Sequence, residues 1–135
     1  MSFVVDCSVA VRWLLPDEAT PYTEAVFELL TQQDAIVPAL FLPEFSNVFL
    51  KLARQRKLKQ EAALGAVKRF AALGLEVDHG TPDPERLFLL AVRYGLSAYD
   101  ATYLELALRR GLPLACWDGG LKLAAEKAGL FLNTA

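Results

Sequence analysis

The chain has 135 residues, of which 54% are hydrophobic, and its formal net charge at pH 7 is −2. This charge excludes a strongly basic protein that binds nucleic acids without specificity, but not a nucleic-acid enzyme whose acidic residues bind metal. No apolar run approaches the ~18 residues of a membrane span, and no basic segment precedes the first apolar run, so we expect neither a membrane helix nor a signal peptide. The length predicts a single domain over 1–135, in which the two cysteines, Cys7 and Cys116, are small buried residues.

The first apolar run, Phe3–Val5, is typical of a short buried strand and ends at Asp6. Ser8 is the predicted N-cap of a short helix that follows. An acid at the carboxyl end of a buried strand is well placed for function, because ligands of open α/β sheets bind beyond those ends. The alternative is that Asp6 only helps to cap the helix.

A helix over 21–33, a strand over 35–37 and a long, very apolar helix over 39–55 are predicted next. Glu44 and Asn47 lie one turn apart on the long helix and therefore share a face. Glutamate is rarely buried without a partner, so this face is either solvated or functional. The same helix runs into a basic cluster that is either a solvated helix end or a rim that contacts phosphates: Lys51, Arg54, Arg56, Lys57 and Lys59.

The middle of the chain predicts a helix over 60–73, an edge strand over 75–78 and a helix over 82–95. His79 is the only histidine. Without a second histidine or a nearby cysteine pair it cannot form a zinc site, so we expect it in a surface loop.

The segment 96–108 is apolar or aromatic on nearly every face, which is typical of a buried helix. Asp100 nevertheless lies in its first turn, and a buried carboxylate is unfavourable unless it is capped, paired or bound to a metal. The local alternative is a capping box, with Ser97 as the N-cap and Asp100 three residues later. A short strand over 112–117 follows and ends at Asp118, and a helix over 121–128 and a strand over 130–132 complete the chain.

Short buried strands that alternate with helices predict an α/β fold, a three-layer α/β/α sandwich around a short-stranded, mostly parallel sheet. Right-handed crossovers place the carboxyl ends of the strands on one edge. Asp6 and Asp118 lie there directly, and the first turns of two helices bring Asp100 and Glu44 to the same place. Unit charges about 4 Å apart repel by ~4 kcal/mol at an effective dielectric constant of 20, so the cluster needs a cation or stays partly protonated. Carboxylate ligands without histidine or cysteine select Mg²⁺ or Mn²⁺, ions that act on phosphates.

Four segments in order carry a family resemblance: Val-Val-Asp-x-Ser, Pro-Glu-x-x-Asn, Leu-Ser-Ala-Tyr-Asp-Ala-x-Tyr-x-x-Leu-Ala and Leu-Pro-Leu-x-x-x-Asp. With them the whole chain resembles the PIN-domain ribonucleases and, by its compact length, the VapC toxins of toxin–antitoxin pairs. The resemblance implies Mg²⁺-dependent hydrolysis of an RNA phosphodiester, with Mn²⁺ as a plausible substitute. It also implies a cytoplasmic homodimer whose partner is a small antitoxin with a tail that blocks the site.

Residue roles follow from the same resemblance, position by position. Asp6 and Asp100 would be the main metal ligands and Asp118 would complete the metal site, while Glu44 would hold a second ion or a water. Ser8 would help to orient the site and Asn47 would support it. The family's acidic quartet of catalytic residues would then be Asp6, Glu44, Asp100 and Asp118.

The chain departs from the family pattern just before the last acid. The family often has Thr or Ser two residues earlier, where this chain has Cys116, followed by the bulky Trp117. A catalytically weak or silent PIN-like module that binds RNA or a protein is therefore the main alternative. A phosphoryl-transfer fold would use Asp-x-Asp, but Ser8 stands in place of the second acid, and a receiver domain would need adjacent acids and a late lysine.

Overall fold

The computed structural model describes residues 1–80, 82–117 and 119–134. Its central sheet has four parallel strands in the order β3-β2-β1-β4. The strands are β1 (Ser2–Val5), β2 (Asp34–Pro38), β3 (Glu76–Asp78) and β4 (Leu114–Ala115). The helices are α1 (Cys7–Ala10), α2 (Pro21–Leu29), α3 (Phe41–Arg54), α4 (Gln60–Lys68), α5 (Phe70–Leu73), α6 (Pro84–Tyr94), α7 (Ala98–Arg110) and α8 (Gly119–Lys127). Short 3-10 turns at Val11–Trp13 and Pro16–Glu18 connect α1 to α2.

The sheet is buried because its strands are apolar and helices cover it. Phe3, Val4 and Val5 of β1 are fully buried, and α7 packs against β1, β2 and β4 while α3 packs against β2. This arrangement confirms the predicted α/β/α sandwich with a short-stranded parallel sheet. In the part of the chain described, no helix combines the length and apolarity needed to cross a membrane.

Helix α7 is the central helix, but the prediction that it is buried on nearly every face is wrong at its first turn. Residues 101 and 103–107 are buried, whereas the side chain of Tyr99 is 66% exposed. The difference arises because the later turns pack on the sheet, whereas Tyr99 and Asp100 in the first turn line two neighbouring surface openings. The exposure of Tyr99 is therefore not explained by the core.

Three other sequence predictions differ from the structure. The helix predicted over 60–73 breaks at Arg69 into α4 and α5, and the break lets the ring of Phe70 contact Phe41 and Phe45, with centroids 5.7 Å apart in both pairs. The strand predicted over 130–132 is a single bridge, because the two-residue β4 offers only Leu114 as a partner for Phe131.

The third difference concerns the start of α1, whose N-cap is Asp6 rather than Ser8. The backbone N–H of Ser8 donates to the Asp6 carboxylate over 3.0 Å, so Ser8 already lies inside the helix. Aspartate is as good an N-cap as serine, and here the cap lies two residues earlier than the sequence pattern suggested.

An ion-pair cluster connects the edge strand β3 to the end of α7. Asp78 is buried, and its carboxylate accepts hydrogen bonds from Arg109 and Arg110, the shortest being 2.8 Å from Nη2 of Arg110. The Arg109 side chain also donates to Glu105, 3.0 Å away. We call these six residues the arginine cluster: Glu76, Asp78, Arg86, Glu105, Arg109 and Arg110.

Candidate active-site cleft

Asp6 lies at the carboxyl end of β1, where the chain turns into α1. Its carboxylate accepts two hydrogen bonds from Ser8, one from the backbone N–H over 3.0 Å and one from the hydroxyl over 2.7 Å. Asp6 therefore does cap α1, as the alternative interpretation predicted, but capping does not explain what else surrounds its side chain. Asp6 also lines a cleft with two other acids.

The two other acids come from the first turns of helices. Glu44 is in the first turn of α3, and Asp100 is in the first turn of α7. The Ser97 hydroxyl oxygen accepts a hydrogen bond from the backbone N–H of Asp100 over 3.0 Å, as expected for an N-cap. Because this cap uses the backbone of Asp100, its carboxylate is available to the cleft.

Asp6, Glu44 and Asp100 line one cleft of about 440 Å³, which we call the acid cleft. Asn47 lines it one turn after Glu44, so the structure places both polar residues of α3 at the same opening. Lys51, one further turn along, is the one member of the predicted basic cluster among the residues that line the cleft. The structure thus brings together three of the four acids selected from the sequence.

Burial and mutual repulsion make the charged forms of these acids unfavourable. Burial raises the pKa of Asp6 to about 6, against the two hydrogen bonds from Ser8, and repulsion by Asp100 and Glu44 adds to the rise. Burial also raises the pKa of Glu44 and that of Asp100. Among the described residues, no lysine or arginine forms a salt bridge with any of the three. Such carboxylates, shifted by desolvation and by each other, are typical of functional sites.

Tyr103 is a residue that the sequence analysis missed. Its side chain is 1% exposed, and its hydroxyl donates to Oε1 of Glu44 over 2.7 Å. This hydrogen bond opposes the rise in the pKa of Glu44. The pattern put Tyr103 in an apolar stripe, but a buried tyrosine needs a partner for its hydroxyl, and that need was the available signal.

The Ser8 hydroxyl makes a second contact, with the segment after β4. Its oxygen accepts a hydrogen bond from the backbone N–H of Trp117 over 3.3 Å while its hydroxyl donates to Asp6. The end of β1 is thereby connected to the segment after β4. Cys116 itself is a buried free thiol, as is Cys7, which agrees with the expectation for both cysteines. Asp118, the fourth predicted acid, lies outside the described residues, and its place in the site stays a prediction.

The donor chemistry of the acid cleft fits a hard divalent cation, because the acids offer only carboxylate oxygens and Asn47 offers an amide. Within the described ranges, no three His, Cys, Asp or Glu side chains are grouped so as to hold a metal ion. Mg²⁺, however, usually keeps several waters and binds through one or two carboxylates and the substrate. The residues therefore fit an ion held by few protein ligands rather than a closed protein cage.

The remaining candidates lie away from this cleft. His79 is exposed in the loop after β3, as predicted, and Asp78 beside it belongs to the arginine cluster. Arg54 lines a separate groove between α3 and α4. The described basic residues therefore do not form a continuous rim around the acids.

Comparisons with known proteins agree with this architecture. The profile of the PIN domain family matches residues 3–127. No curated protein matches the sequence significantly.

Solved structures provide the remaining matches. The PAE2754 protein from Pyrobaculum aerophilum is 22% identical, with a TM-score of 0.70 over 92% of this chain and 79% of that one. VapC20 of Mycobacterium tuberculosis, described as a toxin that cleaves the sarcin–ricin loop, is 21% identical, with a TM-score of 0.63 over 96% of each chain. VapBC2 from Rickettsia felis, solved with a DNA fragment from its promoter, is 14% identical, with a TM-score of 0.63 over 87% of this chain and 88% of that one.

Proposed function

This chain belongs to the PIN-domain family, and from that premise we propose that it is a metal-dependent endoribonuclease, the toxin of a toxin–antitoxin pair. The observation that carries the proposal is the acid cleft, where three carboxylates from distant parts of the chain share one opening and, among the described residues, form no salt bridge. A divalent cation is the simplest partner for such a group.

Asp6 and Asp100 are the proposed metal ligands, since one is fixed by Ser8 and the other is placed by the capped start of α7. Asp118 is proposed to complete the set. Mg²⁺ or Mn²⁺ bound there would orient an attacking water and offset the charge that develops on the leaving oxygen.

Glu44 is proposed to hold a water or a second ion in the same cleft. The Tyr103 hydroxyl fixes the direction of this carboxylate by donating to one oxygen, which leaves the other oxygen for the cleft. Asn47 and Lys51 extend the same face of α3, and the ammonium group of Lys51 offers a positive charge to an RNA phosphate.

The proposed partners follow from the relatives. The VapC20 toxin acts on an RNA loop, which supports RNA as the substrate here, and the VapBC2 complex supports a small antitoxin as the partner. We further propose, from the family resemblance, that the protein is a single domain over 1–135 and a homodimer in the cytoplasm.

Cleavage of a mixed set of structured RNAs tests the nuclease directly. The parent chain should cut with Mg²⁺ or Mn²⁺ and not with EDTA, and Asp100→Asn should not cut. Asp17→Asn is the matched control, because Asp17 is an exposed acid outside the acid cleft and the substitution changes net charge equally. If no RNA is cut and metal does not bind, the silent interaction module is the better account.

The toxin assignment has its own test. Expression of the chain in bacterial cells should stop growth, and co-expression of a short reading frame next to its gene should restore it. An active nuclease that leaves growth unchanged would contradict the toxin role while leaving the cleavage chemistry intact.

A further inference from the structure

A second cavity opens on the other side of the first turn of α7. It has a volume of about 380 Å³, within the ~300–1,000 Å³ typical of small-ligand sites. Ala98, Thr102, Glu105 and Arg109 line it, and their spacing of three or four residues puts them on one face of α7. We call it the flanking cavity.

The flanking cavity and the acid cleft are neighbours at two helix starts. Tyr99 lines the flanking cavity and Asp100 lines the acid cleft, so consecutive residues, with Cα atoms about 3.8 Å apart, border the two openings. Likewise Leu40 at the N-cap of α3 lines the flanking cavity, and Glu44 in the first turn of that helix lines the acid cleft. A ligand that places one group at Asp100 can therefore place the adjacent group in the flanking cavity.

The walls of the flanking cavity favour a flat and uncharged group. Apolar side chains form much of its lining, among them Pro38, Leu40, Leu87 and Leu106. Its charged floor belongs to the arginine cluster, in which three carboxylates face three guanidinium groups and the net charge is zero. All three guanidinium nitrogens of Arg109 already donate to Asp78 or Glu105, and these two carboxylates, which line the same cavity, would repel a phosphate.

Tyr99 gives the cavity an aromatic rim that the fold does not require. Its ring is 66% exposed on a helix whose later turns are largely buried. Exposed aromatic rings next to a backbone-binding site are the usual platforms on which proteins stack unpaired bases.

We infer that the flanking cavity holds an unstacked nucleobase of the RNA, from the nucleotide next to the phosphate at Asp100, with Tyr99 stacked on its face. The inference deepens the proposed nuclease function, because it names a subsite for the same substrate. The cavity then contributes affinity and selects the base beside the cut, while the acid cleft performs the cleavage.

Nuclear magnetic resonance on the ¹⁵N-labelled full chain tests the base site without any cleavage. The probes are AMP, GMP, CMP and UMP, with ribose 5-phosphate as the ligand that lacks a base, all in EDTA. At least one nucleotide should shift the amide signals of residues 78–80 and 98–102 in a saturable way, and ribose 5-phosphate should not. Shifts confined to the acid cleft, or equal shifts with ribose 5-phosphate, would overturn the inference.

Two variants act on the cavity in opposite ways. Tyr99→Ala removes the ring and Ala39→Trp fills the opening from an exposed position that lines it. Each should weaken the nucleotide response about tenfold, within the range measured when single stacking residues are removed. Phe27→Ala is the matched control, since Phe27 is an exposed aromatic residue, 46% accessible, that lines neither opening. An unchanged response in both cavity variants would contradict the base site.

The outcomes separate this inference from the nuclease proposal. A chain that cuts RNA with Mn²⁺ but gives no nucleotide shifts near Tyr99 contradicts the base site alone. A chain that binds nucleotides at Tyr99 but cuts no RNA contradicts the nuclease proposal alone.

Discussion

The acid cleft and the arginine cluster each contain an acid at the carboxyl end of a strand of the same sheet, and the electrostatic surroundings of these two acids are opposite. Asp6 ends β1 and Asp78 ends β3, but the pKa of Asp6 is raised by burial to about 6 while hydrogen bonds from Arg109 lower the pKa of Asp78. The carboxylate of Asp78 has guanidinium partners on two sides and the Gly80 backbone N–H on a third. Asp6 has two hydrogen bonds from Ser8 and no salt bridge among the described residues.

The comparison distinguishes an acid that is paired with cations from an acid that has no cationic partner among the described residues. Folding favours the charged form of Asp78, so its ion pairs stabilise the native state at neutral pH. Folding disfavours the charged form of Asp6, so the acid cleft reduces stability until something positive enters it. Active sites often contain groups whose charged form is disfavoured by folding, so that stability is lost where activity is gained.

The largest effect is expected for the catalytic test of the acid cleft. Asp100→Asn should reduce metal-dependent RNA cleavage at least about a thousandfold, since it removes a ligand of an ion that lowers the barrier by several kcal/mol. Its melting temperature should stay level or rise, because the Ser97 cap uses the backbone of residue 100. A large fall in the melting temperature would instead indicate that the Asp100 side chain stabilises the fold.

In the arginine cluster, by contrast, a substitution is expected to lower stability. Asp78→Asn should lower the free energy of unfolding by about 3 kcal/mol at pH 7, because it leaves two arginines without their shared partner. The pKa of Asp78 is lowered in the folded state, so its contribution is present above the ordinary value of 3.8 and is lost as pH falls below that value. Urea unfolding at pH 7 and at pH 3 should therefore show a deficit that shrinks in acid.

Asp6→Asn should have a smaller effect on stability, of opposite sign. The pKa of Asp6 rises from 3.8 to about 6 on folding, so the native state binds the extra proton and the parent loses stability as pH rises through that window. At pH 7.5 without metal the variant should be more stable by at most about 3 kcal/mol, the free energy that corresponds to a pKa rise from 3.8 to about 6, and the two proteins should converge below pH 4. Asn also caps helices, so α1 keeps its start. Urea unfolding across pH 4 to 7.5 would contradict the account if the curves ran parallel.

Tyr103→Phe should have the smallest effect of the four. The loss of one hydrogen bond should lower the free energy of unfolding by about 1 kcal/mol, since the ring and the core around it are kept. Without the Tyr103 donor the pKa of Glu44 rises further, so the acidic limb of the kcat–pH profile should move to higher pH. An unchanged profile with the same loss of stability would give Tyr103 a packing role alone.

Alternation and composition were sufficient to predict the layers of the fold and the edge position of β3. They failed where tertiary contacts overrode a local pattern. The predicted helix breaks at Arg69, where Phe70 packs against Phe41 and Phe45, and the two-residue β4 limits pairing at Phe131 to a bridge. Similarly, the apolar pattern of α7 did not predict that its first turn is exposed at Tyr99.

For the site, acids at strand ends and helix starts could be predicted, because parallel strands end on one edge of the sheet. The structure places Asp6, Glu44 and Asp100 in one cleft, as that rule required. The hydrogen bond from Tyr103 to Glu44 and that from the Trp117 backbone to Ser8 could not be predicted, because each joins residues far apart in sequence. Only the fold determines which distant hydroxyl meets which acid.

Calorimetric titration with Mn²⁺ at pH 7.5 tests the difference between the two groups of acids most directly. Asp6 must lose its proton before an ion binds, so the affinity should fall as pH drops below about 6. The account predicts saturable binding to the parent and to Asp17→Asn, and none to Asp100→Asn. Equal binding by the parent and Asp100→Asn, or no binding by the parent, would contradict the claim that the acid cleft is a metal site.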